Sequence, residues 1–336
     1  MGGHAPLGDE KGGRTARLAG GGRRPRRARL WPDPAPVAAP PAAAEAGNRQ
    51  TGLTSIRPSA IVPTHPIVLR RLKRGLMKTV LLSIARDAGA LMLRYFGHLR
   101  EGQVKMKTST KDLVTVADGE VESLVFERLR AAFPDHGLYG EESGEVEKGH
   151  GARFIVDPID GTVNFAHGLQ HFALSIAREE SGAITHGLIY LPALDELFYA
   201  ERGRGATLNE RPIRVSPQAN VADSVVATGF ACVRAGLKPD GLPIFNHLMY
   251  RIRDLRRLGA ATVDLAYVAR GIFDAFYEME LSPWDVAAGL LIVEEAGGRV
   301  TGFAGADDPV YGRKILATNG RLHETLRRLI EEAIKS

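Results

Sequence analysis

The sequence holds a single cysteine, Cys232, so no disulfide can close within the chain and no thiolate-rich metal site can be built. That composition fits a reducing compartment, and a cytoplasmic location is the expectation. No run approaches the roughly 20 apolar residues of a membrane-spanning helix, and the start of the chain lacks the apolar core of a secretion signal. Membrane insertion is therefore not expected. His98, His167 and His171 show none of the pairing of metal-binding histidines and are read as structural or surface residues. Serine is scarce in residues 1–76, where only Ser55 and Ser59 occur, which argues against an organelle-targeting peptide despite the arginines. None of these absences limits the core. A chain of 336 residues, 44% hydrophobic and 25% charged, suits one large domain or two packed halves.

Charge is unevenly spread. Residues 1–76 carry 14 Lys and Arg against 4 Asp and Glu, and the remainder carries 30 against 35, so the formal net charge of +5 describes neither part. The stretch GGGRRPRRARLWPDPAPVAAPPAAAEAG has no apolar periodicity and too little to bury, which predicts a disordered basic extension over residues 1–76. A start at Met77 would account for the body equally well. Nucleic acid could be held only through this basic arm. From Met77, apolar residues at Val80, Leu81, Ile84, Ala85, Ala88, Leu91, Met92, Tyr95 and Phe96 predict a helix stopped by Gly97. An extended KTSTKDLVTVAD segment and a second helix ending before Pro134 follow. Short β-rich runs from 172 to 215 read as an antiparallel meander. Beyond SVVATGF come a helix across 260–270, a strand at FDAFYEM, a helix from Trp284 to Ala296, a strand at KILATN and a final helix. The alternation predicts an α+β body of mixed, largely antiparallel sheets between helix layers over residues 77–336, built as two packed α/β halves. The basic run RIRDLRR at 251–257 reads as a helix face or a contact between copies.

Carboxylates supply the chemistry. In FIVDPIDGTVNF, Asp157 and Asp160 end an apolar strand, and Pro158 and Gly161 make a helix there unfavourable. Two clustered aspartates repel one another unless they are solvated or share a cation. Glu141 in GEES and Asp285 in SPWDVAAG are the other candidates. Each has a plainer explanation: Asp285 as a helix cap, Glu141 as a solvated surface group, the Asp-Pro pair as a turn. Taken together, oxygen-only ligands without His or Cys suit a hard cation such as Mg²⁺.

The ordered set KDLVTVAD, GEES, FIVDPIDGTVNF, HFALSIA, ELFYAERGRGATLN, ATGF, LGAATVDLAYVARGIFDAFYEM and SPWDVAAGLLIVEEAGG resembles the inositol monophosphatase family of lithium-sensitive, Mg²⁺-dependent phosphatases. The likeness runs from about Met77 to the C-terminus. It implies a layered αβαβα sandwich and a homodimer. It also implies two or three Mg²⁺ ions, inhibition by Li⁺, and hydrolysis of a small polyol or sugar phosphate, with myo-inositol 1-phosphate first. On this likeness Glu141, Asp157 and the carbonyl of Ile159 match one metal site, and Asp157, Asp160 and Asp285 match a second, with Asp157 bridging. Glu141 and Thr162 match the pair that orients the attacking water, and Asp118 matches the carboxylate bonded to that threonine. Asp160, Gly161, Thr162, Ala261 and Glu278 match the substrate contacts, the amides of Gly161 and Thr162 receiving phosphate oxygens. An ion pair of Glu278 with an arginine of the 251–257 run is the plainer alternative for that residue. Val163 and Ala260 stand where the family more often has threonine. Fructose-1,6-bisphosphatase and histidinol-phosphatase are the alternatives within the superfamily, and an RNA- or protein-binding regulator on the same fold is the alternative of another class.

Overall fold

The computed structural model describes residues 66–100, 102–106, 113–238, 240–305 and 307–335. Of the basic extension expected to be disordered over residues 1–76, residues 1–65 lie outside that range, as does the KTSTKD segment, whereas residues 66–76 are helical. Helix α1 spans Pro66–Tyr95, so the helix expected from Met77 begins earlier. The segment PIVLRRLKRGL contains mostly good helix formers, and proline suits a first helical position, where its missing N–H has no helical partner. A hairpin of β1 (Val104–Met106) and β2 (Leu113–Thr115) leads into α2 (Val116–Ala132). Next come β3 (Gly137–Gly140), β4 (Gly144–Glu147), β5 (Ala152–Asp160) and the short α3 (Thr162–Ala166). The meander is β6 (Ala173–Glu180), β7 (Ala183–Leu191), β8 (Glu196–Glu201), β9 (Ala206–Leu208) and β10 (Arg211–Pro212). The chain then forms β11 (Val225–Thr228), α4 (Ala231–Arg234), α5 (Leu242–Met249), β12 (Asp254–Arg256) and α6 (Ala261–Ala269). It ends with β13 (Ala275–Met279), α7 (Pro283–Glu295), β14 (Arg299–Thr301), β15 (Lys314–Thr318) and α8 (His323–Lys335).

Among the described residues the larger sheet has eight strands in the order β10-β9-β8-β7-β6-β5-β3-β4, and the smaller has five, β12-β11-β13-β15-β14. Pairing is antiparallel except β3 with β5 and β11 with both β12 and β13, which is the mixed, largely antiparallel arrangement expected. The basic run at 251–257 forms the edge strand β12 and its flanking turns rather than a helix face.

Side-chain alternation along the strands sorts the core into layers. On β5, Phe154 and Val156 join Leu81, Ile84 and Met92 of α1 and Val121 and Leu129 of α2. Ile155 points the other way, into a second cluster with Val263 and Leu265 of α6 and Val286 and Leu291 of α7. That cluster continues to Phe276 and Ala317 of the smaller sheet. Across that sheet, Tyr277 and Leu316 meet Ile244 of α5 and Ile330 of α8. Helices, sheet, helices, sheet, helices is thus the layer order. Full burial of each large apolar side chain contributes roughly 1.5–3 kcal/mol. Helix α7 is buried continuously from Val286 to Val293, because it lies between two sheets and has no solvent face. The sequence over 286–293, VAAGLLIV, is accordingly apolar all round.

His323, at the start of α8, is buried and sits 3.0 Å from both Thr301 Oγ1 and Thr318 Oγ1. Burial first, then the positive charge of Arg299, lowers its pKa to about 4. The unfolded chain takes up this proton near 6.5 while the folded chain does not, so stability falls as pH drops from 6.5 towards 4. Urea unfolding across that range should show a steeper loss for the parent protein than for His323→Gln. Equal slopes would remove His323 from the linkage.

Candidate metal centre

Strand β5 carries the first two acidic groups through a local irregularity. Asp157 pairs with Ser175 of β6 and Asp160 with Ala173, so three steps on one strand oppose two on the other. In a regular strand, residues three apart point to opposite faces. The extra residue resets the alternation and lets both carboxylates face the same side. Pro158 sits inside this bulge, where it has no N–H to contribute. Gly161 follows at φ +87°, in the left-handed region glycine adopts at low cost, and turns the chain into α3.

Asp157, Asp160 and Asp285 each present an oxygen within 4.8 Å of the others, and Asp157 is 1% exposed. Asp285 reaches them from the third position of α7. There it accepts the Ser282 amide at 2.7 Å, so the helix-cap explanation and the cluster explanation both hold for one side chain. Asp160 Oδ2 accepts the amide of Thr262 at 2.7 Å and its hydroxyl at 2.5 Å. That contact caps α6, whose own N-cap residue, Ala260, has no acceptor side chain. Asp157 Oδ1 accepts the Ile159 amide at 3.0 Å.

Burial, followed by the repulsion of Glu141, Asp160 and Asp285, pushes the carboxyl of Asp157 well above the usual carboxylate range. Burial and the charges of Asp160 and Glu141 do the same to Asp285, against the help of the Ser282 amide. Glu141 therefore lies in the same field, at the end of β3, its amide bonded to the Val156 carbonyl at 3.1 Å. Asp157, Asp160 and Asp285 offer oxygen donors only, with no His or Cys among them, a set that a hard divalent cation such as Mg²⁺ fits.

A second constellation adjoins the first. Thr162 Oγ1 lies 3.1 Å from Asp118 Oδ1 and 3.0 Å from the Ile159 carbonyl. The other oxygen of Asp118 is held by the amide and hydroxyl of Thr115, at 2.8 and 2.6 Å, in a capping box at the start of α2. Burial raises the Asp118 pKa, with Thr115 opposing. Glu278, 5% exposed on β13, accepts the Ala231 amide at 3.0 Å, and its charge bears on Asp285 and on the buried Asp264. Ala261 opens α6 beside Thr262. Asp157, Ile159, Asp160, Gly161 and Thr162 thus lie on the β5–α3 turn, the atoms or charge of Asp118, Glu141, Asp285 and the start of α6 reach it, and the charge of Glu278 reaches Asp285. Thr115 and Thr262 were not singled out. The pattern Thr-x-x-Asp could have revealed Thr115, since it is a capping-box signature. Thr262 meets Asp160 across the fold and leaves no local signal.

Residues 76–335 match the model of the inositol monophosphatase family. An inositol-1-monophosphatase of Rhizobium meliloti is 40% identical over 78% of this chain and 99% of its own length. A fructose-1,6-bisphosphatase/inositol-1-monophosphatase of Thermotoga maritima is 37% identical over 76% of this chain and 95% of its own. The crystal structure of extragenic suppressor protein suhB from Bartonella henselae superposes with a TM-score of 0.72 at 41% identity, covering 76% of this chain and 98% of that one. The chain belongs to the inositol monophosphatase family, whose reaction is the hydrolysis of phosphoric monoesters.

Proposed function

We propose that this protein hydrolyses the phosphate monoester of a small polyol or sugar, with myo-inositol 1-phosphate as its principal substrate and Mg²⁺ as its metal. The observation that carries this reading is the buried cluster of Asp157, Asp160 and Asp285 beside Glu141. Glu141, Asp157, the Ile159 carbonyl, Asp160 and Asp285 would hold the ions. When bound, Mg²⁺ neutralises phosphate, lowers the pKa of water and stabilises the departing alkoxide.

The chain's own groups supply orientation and proton handling. Thr162 Oγ1, fixed between Asp118 and the Ile159 carbonyl, can accept a hydrogen bond from water while donating its own proton to Asp118. Asp118, whose proton affinity is raised by burial, is suited to receive it. Glu141 steadies the same water from the opposite loop. The amides of Gly161 and Thr162 face the phosphate, and Asp160, Ala261 and Glu278 receive the alcohol. Glu278 suits a polyol because its carboxylate accepts from hydroxyls. The resemblance extends the reading to Li⁺ inhibition and a homodimer in the cytoplasm. Among the described residues no helix is long and apolar enough to cross a membrane.

The Thermotoga relative bears both a bisphosphatase and a monophosphatase name, so fructose 1,6-bisphosphate is the competing substrate. A panel of inositol, sugar and histidinol phosphates should place myo-inositol 1-phosphate first in kcat/KM. A tenfold preference for fructose 1,6-bisphosphate, about 1.4 kcal/mol of transition-state binding, would reverse the assignment.

Asp157→Asn should weaken Mg²⁺ binding in calorimetry and lower kcat by several orders of magnitude, whereas Glu278→Gln should mainly raise KM. Near-normal turnover by Asp157→Asn would sink the metal assignment.

A further inference from the structure

Helix α2 carries a second buried carboxylate one turn beyond Asp118. Glu122 is 2% exposed, and at a spacing of four residues it lies on the same face of the helix as Asp118. Among the described residues its hydrogen-bond partners are not cations. Glu122 Oε2 accepts the amide of Glu142 at 3.0 Å, and Oε1 accepts the hydroxyl of Ser143. Both donors belong to the turn that immediately follows Glu141. The carboxylate also packs on Gly140, where a Cβ would collide with it and with Phe126. Glycine at 140 is therefore a condition for this approach.

We propose that Glu122 is a positioning residue for Glu141: it fixes the turn over residues 140–143 so that the Glu141 carboxylate is held against Asp157. This inference rests on the phosphatase reading above and names how one of its metal ligands is set. A buried carboxylate without a cation is costly unless its lone pairs are met, and here an amide and a hydroxyl meet them. Those two bonds also restrain a turn that would otherwise have to be ordered when the ion binds. Asp118 and Glu122 together make one face of α2 the common support of Thr162 and Glu141, the two groups assigned to the attacking water.

Glutamine at 122 keeps the shape but offers one acceptor oxygen, so it can satisfy one donor and must turn an N–H toward the other. In the full chain, Glu122→Gln should weaken Mg²⁺ binding in isothermal titration calorimetry about tenfold, with an unchanged circular dichroism spectrum. At saturating Mg²⁺ it should lower kcat with little change in KM for the phosphate ester. Ser143→Ala should give a smaller loss of Mg²⁺ affinity, and adding it to Glu122→Gln should cost less than it does alone, because the two share one bond. Gly140→Ala, which displaces the same carboxylate, should weaken Mg²⁺ binding in the same direction. A folded Glu122→Gln protein that binds Mg²⁺ like the parent overturns the proposal, as does strict additivity with Ser143→Ala. If Glu122→Gln does not fold, the Mg²⁺ affinities of Ser143→Ala and Gly140→Ala decide in its place. Direct metal binding separates this test from the phosphatase reading: a parent that binds Mg²⁺ without cleaving any phosphate ester fails that reading, and the affinity comparison still decides the role of Glu122.

Discussion

Carboxylates that repel one another in a buried place are the constraint around which this structure is organised. Desolvation and mutual charge both disfavour their ionised forms, and the fold nonetheless brings Asp157, Asp160 and Asp285 within reach of a single ion. Each is kept in place by a local device. The β5 bulge turns two aspartates to one side, the cap of α7 anchors the third, and the start of α6 leans on Asp160. These contacts involve backbone amides and hydroxyls, which orient a carboxylate without cancelling its charge. The site is thus stiff and still strongly cation-seeking.

Helix starts recur in this construction. Asp118 and Asp285 occupy the same position in two capping boxes, Thr115 to Asp118 and Ser282 to Asp285. In both, one oxygen serves the helix. In Asp118 the other oxygen meets Thr162, and in Asp285 the carboxylate joins the acidic cluster. A helix N-terminus tolerates negative charge through its dipole, which partly offsets the cost of crowding carboxylates together.

Periodic features of the fold were legible in the sequence. The 3.6-residue spacing of Leu81, Ile84, Ala88 and Met92 marks α1, and the continuous apolar run of α7 marks a helix without a solvent face. The candidate cluster of Asp157, Asp160 and Asp285 was legible through motif likeness and the chemistry of clustered acids. What could not be read depends on pairing between distant segments. The bulge at Pro158 exists only relative to Ser175 and Ala173, the cap of Asp160 on α6 spans about a hundred positions, and Glu122 meets a turn twenty residues away. The run RIRDLRR shows the opposite limit: its charges suggest a helix face, but too few residues lie between Ile252 and Leu258 to show a period, and pairing with β11 makes it an edge strand.

The position of α7 gives the cluster a mechanical meaning. Its body is wedged between the two sheets, while its first turn delivers Asp285 to groups carried by the larger sheet. An ion held by both would act as a rivet through the layers, and the separation of the sheets becomes a gauge that sets the span of the coordination shell. Ligand geometry and core volume are then one variable: a methylene added to or removed from the interior near Leu290 would be felt as a change in the fit of the cation, far from any group that touches it.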